Sequence, residues 1–260
     1  MRVGELLLRP DIRGNSIRTI LKQVMSPRQT TVDASETSPV GPIRFGSFRR
    51  VTPIHRGFGT SRGSYIDRYY IEKFLVKNSD CIRGRVLELA WNGYTIRFGG
   101  GKVTKSDILD VRIGHPGATI IGDLTSADNI PSDTFDCFIL TQTLNFIYDV
   151  RAAVQTVHRI LKPGGCVLVS VPGIAQLSPA ELDYCGEFWR FTQLSMRRLL
   201  GESFGDENVI VEAHGNVLAA LAFLHGLAAE ELKTEELDYR DSRYDFVIVA
   251  KAEKGKVRLD

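Results

Sequence analysis

Polar residues recur at the ends of apolar runs, in an order that suits a ligand with an adenosine end. Glu88 stands late in the run Arg85–Ala90, just ahead of the turn Ala90-Trp91-Asn92-Gly93-Tyr94. Asp107 follows Glu88 by 19 positions, close to the roughly 20-residue spacing at which an acid reaches a ribose hydroxyl in nucleotide-binding βαβ units. Asp123, with Leu124 behind it, closes the run Ala118–Ile121, and Thr141-Gln142 closes Phe135–Leu140. One acid would take the ribose diol and another the adenine amino group; singly, each could equally cap the helix that follows it. A second set could face a reaction partner. His214, at the end of Asn208–Ala213, is the first candidate for a base, and Tyr70 the second. Arg68 and Arg190 could hold an anionic group, with Tyr69 and Trp189 beside them. Their plainer roles are surface ion pairs and core packing.

These positions need a scaffold that gathers strand ends on one rim. The runs Arg85–Ala90, Lys102–Leu109, Ala118–Ile121, Phe135–Leu140 and Cys166–Val171 read as strands. Val150–Leu161 has helical periodicity and stops at Lys162-Pro163-Gly164-Gly165, a C-terminal signal. Asn208–Ala213 and Asp245–Ala250 are two more strands, separated by an apolar helix expected over Val217–Leu232. Strands separated by helices imply parallel pairing with right-handed crossovers. The fold class is therefore α/β: an open, Rossmann-like, doubly wound sheet with helices on both faces and its ligand beyond the carboxyl ends of the central strands.

Ahead of this core lies a different stretch. Residues 1–60 carry ten Lys/Arg against four Asp/Glu, whereas the 260-residue chain is nearly balanced at +2. A short helix is expected at Ile17, Ile20, Leu21 and Val24, then an extended Ser/Thr/Pro/Gly-rich segment over Ser26–Thr52. The expected division is a basic extension, 1–60, and a domain, 61–260. The helical pattern resumes over Asp67–Val76. Four scattered cysteines without a C-x-x-C pair argue against zinc and against a disulfide scaffold. No apolar stretch reaches the roughly 18–20 residues of a membrane span. A soluble, cytoplasmic protein is the expectation. The P-loop, the G-x-G-x-x-G turn and the G-x-S-x-G elbow are all missing. So is an H-x-x-x-H pair, and no metal site is expected.

Residues 84–173 resemble the core of the class I, S-adenosylmethionine-dependent methyltransferases. Ile130-Pro-Ser-Asp-Thr-Phe-Asp136 with Phe138-Ile-Leu140 is similar to that family's "LPF…DNSFDLVI". Thr143-Leu-Asn-Phe-Ile-Tyr-Asp149 stands in the place of "VLEHVxD", and His158-Arg-Ile-Leu-Lys-Pro-Gly-Gly165 is close to "RxLKPGG". Phe188-Trp-Arg-Phe-Thr192 resembles "xxrfT", and residues 62–75 resemble a bacterial subgroup that sits beside glycosyltransferases. The likeness covers about the last 175 residues. It implies a mostly parallel sheet with an antiparallel last strand, and S-adenosylmethionine held by Glu88, Trp91, Asn92, Gly93, Asp107, Asp123, Leu124, Thr141 and Gln142. The departure is the glycine loop, "E-x-G-x-G-x-G" in the family and Glu88-Leu-Ala-Trp-Asn-Gly-Tyr94 here. Asn92 stands at the central glycine and would take the left-handed conformation.

The resemblance implies methyl transfer to an O or N of a small molecule, such as a sugar-containing or secondary metabolite. An inactive methyltransferase-like fold that binds or regulates a partner stays open. RNA is the least supported acceptor, because the aromatics are not interleaved with a sustained basic stripe. The apolar helix after Val217 could form a lid or a homodimer face.

Overall fold

A computed structural model describes residues 43–178 and 185–256. The helix expected around Ile17–Val24 and most of the Ser/Thr/Pro/Gly-rich segment lie outside those residues. The chain divides after Arg49, and the unit beginning at Arg50 holds every strand among the described residues.

Seven strands form one sheet: β1 Gly84–Leu89, β2 Val103–Asp110, β3 Ile120–Ile121, β4 Phe135–Thr141, β5 Leu161–Pro172, β6 Val209–His214 and β7 Val247–Glu253. Their spatial order is β3-β2-β1-β4-β5-β7-β6. Pairs β1/β2, β2/β3, β1/β4 and β4/β5 are parallel, whereas β7 runs antiparallel to both β5 and β6. This is the doubly wound sheet with an antiparallel last strand that the sequence implies. The order reverses between β1 and β4, which makes the crevice above them the switch point where such sheets take ligands.

The central strands read as near-continuous apolar runs because both faces are covered. Side chains alternate between the faces. Leu87, Leu109, Phe138, Val167 and Val169 pack toward helices α2 (Val150–Ile160) and α3 (Gln193–Phe204). Val86, Ile139 and Leu168 pack toward α1 (Ile66–Lys77) and α4 (Val217–Leu224). Helix α2 starts where Asp149 accepts the N–H of Ala152, and α3 starts on a capping box between Thr192 and Ser195.

Two elements depart from expectation. The connection between β1 and β2 is not a full crossover helix but a π-helical turn, Thr95–Gly99, that runs into a 3-10 turn, Gly100–Lys102. The apolar helix after Val217 ends at Leu224, eight residues before the expected Leu232. Gly226 takes φ +71° there, and a Cβ at that position would lie 2.0 Å from the carbonyl oxygen of His55. The chain turns away because the segment before α1 crosses it, with the N–H groups of Ile54 and His55 both donating to the His225 carbonyl. A short helix, α5 (Thr234–Asp238), follows.

Candidate active site

Glu88, next to last in β1, is buried, and its carboxylate accepts from the N–H groups of Tyr94 and Thr95 at 3.2 and 2.8 Å and from the Thr95 hydroxyl at 2.8 Å. Burial pushes its pKa up against the pull of those bonds. It therefore caps the turn after the loop and fixes the loop's span. Within the loop the left-handed residue is Ala90, at φ +64°, and not the expected Asn92. Asn92 instead donates to the Ser106 hydroxyl on β2 at 3.1 Å. The Trp91 ring lies 3.3 Å from where a Cβ on Gly93 would stand, and this side chain is 62% exposed. Tyr94 turns the other way, buried against Phe98 with its hydroxyl accepting from Arg68 at 3.0 Å. Tyr94 thus belongs to the core on the α1 and α4 face of the sheet, with Val86 and Ile139, whereas Trp91 stays outside it.

Asp107 corrects the spacing argument. It pairs with Leu87 in the middle of β2, three residues before the strand's end. Its carboxylate is held by the Arg85 Nε at 2.7 Å and the Thr119 hydroxyl at 3.1 Å. The acid that does close β2 is Asp110, which the sequence reading missed. Asp110 is 4% exposed and accepts from Arg112 through its N–H, Nε and a terminal nitrogen at 2.8–2.9 Å. Those bonds to Arg112 hold its carboxyl below the usual range. Asp123 is exposed after β3 and accepts the N–H and hydroxyl of Thr125, while Leu124 is buried beside it. Thr141 ends β4. Gln142 follows with φ +48°, its N–H donating to the Ser170 carbonyl at 2.8 Å.

Beyond Gln142 a cavity of about 260 Å³ opens over the ends of β4 and β5 and the start of β7. Its apolar wall is a chain of rings: Tyr65 and Phe58 at 6.4 Å, Phe58 and Phe223 at 5.4 Å, Phe223 and Phe246 at 5.0 Å, with Phe146 also lining it. Its polar wall is Asp67 and Arg68 at the start of α1, with Gln142, Asn145 and Glu187 opposite. Burial raises the Asp67 carboxyl above its ordinary pKa against the opposing pull of Arg68. Asn145 is 2% exposed; its amide nitrogen donates to Glu187 at 3.1 Å, but its Oδ1, fully buried, accepts no hydrogen bond.

Of the residues expected to face a reaction partner, Arg68 lines this cavity and the others do not. Arg190 donates to Glu187 at 2.7 Å and to the carbonyls of Ala175 and Gln176 at 3.3 and 2.8 Å, so it fastens the cavity's loop. Trp189 donates to the Ile147 and Tyr148 carbonyls and stacks on Tyr148. Tyr70 and His214 do meet, stacked at 5.7 Å, but in a second cavity of about 410 Å³ with Lys73, Lys77, Asp238 and Arg240. Tyr69 donates to Asp238 at 2.7 Å on the same side. The Tyr70 hydroxyl donates to the Leu237 carbonyl at 2.8 Å and burial raises its pKa, which makes it a poor proton acceptor. Burial lowers the pKa of His214, which keeps it neutral, but it lines that second cavity and not the one beyond Gln142. Neither is placed to act there. Asp67 and Asn145 lay inside segments already singled out, beside Arg68 and in the place of "VLEHVxD", yet neither type nor spacing marked them.

Residues 97–169 match the family model described as a methyltransferase domain. The ubiquinone/menaquinone biosynthesis C-methyltransferase UbiE of Pasteurella multocida (strain Pm70) is 27% identical over 150 residues, 50% of this chain and 54% of that protein. The chain thus spans about half the length of that curated relative. An S-adenosylmethionine-dependent methyltransferase of Mesorhizobium loti is similar at 18% identity and TM-score 0.48, over 73% of this chain and 98% of that one. One from Archaeoglobus fulgidus is similar at 10% identity and TM-score 0.48, over 72% and 94%. Among the described residues no helix is long and apolar enough to cross a membrane, and no group of three or more His, Cys, Asp or Glu could hold a metal ion.

Proposed function

We propose that this chain is a class I S-adenosylmethionine-dependent methyltransferase that transfers a methyl group to an O or N of a small molecule seated in the cavity beside Gln142. The observation that carries the reading is that the ring-lined cavity opens at the carboxyl ends of β4 and β5, on the same edge of the parallel strands where Asp110 ends β2 and Asp123 follows β3. The residues at the crevice fit the cofactor's nucleoside. Asp110 offers a carboxylate for the ribose diol, Asp123 one for the adenine amino group, and Leu124 an apolar floor. The left-handed conformation at Ala90 keeps the turn that the family builds with glycine. When bound, S-adenosylmethionine supplies an already activated methyl group, so the protein's part is alignment and exclusion of water. The rings of Phe58, Phe146, Phe223 and Phe246 exclude water, and Arg190 steadies the loop through Glu187. Asp67, with its raised pKa, is the group able to hold a proton in the acceptor cavity.

Calorimetry with S-adenosylhomocysteine tests this. Saturable heat is expected, and Asp110→Ala should weaken affinity tenfold or more, about 1.4 kcal/mol. Asp107→Ala, a strand-interior change, should leave affinity unaltered. Absence of heat up to millimolar ligand would favour the inactive, partner-binding alternative.

A further inference from the structure

Arg68, the cavity's guanidinium, gives one N–H to the Tyr94 hydroxyl at 3.0 Å. Glu187 already accepts from Asn145, Ser178 and Arg190. Acceptor capacity remains as well: the Asp67 carboxylate, which backbone N–H groups alone hold by hydrogen bonds, and the Asn145 Oδ1, which accepts nothing although the residue is only 2% exposed. A buried acceptor without a donor costs about 1–3 kcal/mol, so its persistence beside an open cavity points to a ligand that donates. The rest of the lining is aromatic. Faces of Phe and Tyr rings carry negative potential and attract cations, most strongly where water is excluded. Two of the lining residues, Phe58 at φ +56° and Gln142 at φ +48°, hold left-handed backbone that non-glycine residues rarely adopt. Such strain clusters at ligand clamps.

We infer that the acceptor is a small organic amine that enters as its ammonium ion, the charge against Asp67, an N–H on the Asn145 Oδ1 and the carbon body among the rings of Phe58, Phe146, Phe223 and Phe246; Asp67 then takes one N–H proton, which frees the nitrogen lone pair that forms the new N–CH3 bond as the sulfonium's S–CH3 bond breaks. This rests on the methyltransferase reading and specifies nitrogen as its target. A polyol would also donate to Asn145, but it would add no positive charge to the pull that Arg68 already exerts on Asp67. The raised pKa of Asp67 agrees with a carboxylate that lacks a full partner in the free protein.

The test uses four probes on the full chain, by calorimetry: phenethylamine, its N,N,N-trimethyl derivative, the isosteric alcohol 2-phenylethanol, and methyl glucoside. Phenethylamine should bind at least tenfold more tightly than the alcohol. Asp67→Asn should erase that preference while leaving S-adenosylhomocysteine affinity intact. Asn145→Leu, a near-isosteric change, should weaken phenethylamine several-fold but spare the trimethyl derivative, which has no N–H to donate. Binding of the glucoside in preference to the amine overturns the inference, as does an amine affinity indifferent to Asp67→Asn. Should that variant fail to fold, the split between the two amines in Asn145→Leu decides alone. Saturable S-adenosylhomocysteine binding without amine binding would sink this inference only. Amine binding without it would sink the methyl-transfer reading.

Discussion

At the scale of single residues, Ala90 is the most informative position. It holds φ +64° at the position where the family that this sequence resembles has its first loop glycine. An L-residue in the left-handed region costs roughly 1–2 kcal/mol, whereas introducing glycine costs roughly 0.4–1 kcal/mol through the unfolded chain. Ala90→Gly is therefore expected to stabilise the protein by about 0.5–1 kcal/mol, read as a higher urea midpoint at unchanged m-value. An unchanged or lower midpoint would show that the loop relaxes without strain. The sequence displayed the loss of glycines but assigned the left-handed site to Asn92, because residue preference says nothing about which peptide must turn. Asp107 misled in a similar way. Its distance from Glu88 is near the expected value, but distance along the chain does not fix register, and β2 runs three residues further, so that Asp110 ends it. Burial makes Asp107 structural: its carboxylate is 3% exposed and paired with Arg85. Asp107→Ala is expected to destabilise by about 2 kcal/mol, since a charged partner is left unmatched. A denaturation curve coincident with the wild type would exclude that role.

At the scale of elements, legibility followed locality. Strands β1, β4 and β5 are buried on both faces, and uninterrupted apolar runs announced them. Helix α2 was marked by its period and by the Lys162-Pro163-Gly164-Gly165 stop. Helix α4 was overextended, because apolar residues continue through Leu227, Ala228, Ala229 and Leu232 while the cause of its end, the crossing of Ile54 and His55, lies far away in sequence. Its start is fixed equally remotely. Asn216 caps α4 by accepting the N–H groups of Leu218 and Ala219 at 2.9 and 3.0 Å. The same amide donates to the carbonyls of Glu236 and Tyr239 at 2.7 and 2.8 Å, which ties α5 to α4. Asn216→Ala would lose a cap, worth roughly 0.5–2 kcal/mol, and leave two carbonyls short of a donor. A total of about 2–3 kcal/mol is expected. Asn216→Asp should recover the cap but not the bonds to α5, so equal stability of the two variants would refute the shared role. Because α4 carries Phe223 into the cavity wall, both variants should also weaken the binding of ring-bearing probes.

At the scale of the whole unit, the segment from Ile54 to Tyr65 is clasped onto residues 225–231, and through Phe58 and Tyr65 it supplies part of the cavity wall. The clasp is largely polar. Arg62 forms a bidentate pair with Glu231, with Nε to Oε2 at 2.9 Å, and the Ser64 N–H donates to Glu230 at 2.9 Å. The hydrogen bond from Arg62 lowers the Glu231 pKa from 4.5 to about 2, helped by the Ala228 N–H. A carboxyl whose folded pKa lies below its unfolded value contributes stability that is fully present above the unfolded pKa and drains away as pH falls through the folded one. The clasp should therefore be intact at neutral pH, weaken below about pH 4.5 and be lost near pH 2. Glu231→Gln removes the titrating group, so its deficit against the wild type should be constant above pH 5 and shrink toward zero as pH falls to about 2. Both groups are partly exposed, and screening by water and salt limits the size of the effect but not its sign. The decisive measurement is hydrogen exchange at the amides of residues 54–65 in the two proteins as pH is lowered, corrected for intrinsic rates. Faster opening in Glu231→Gln at pH 6, converging with the wild type in acid, is the expected result. A deficit that persists undiminished in acid would mean that Glu231 holds the segment by packing and not by charge. The ring wall would then owe its position to Phe58 and Phe223 themselves.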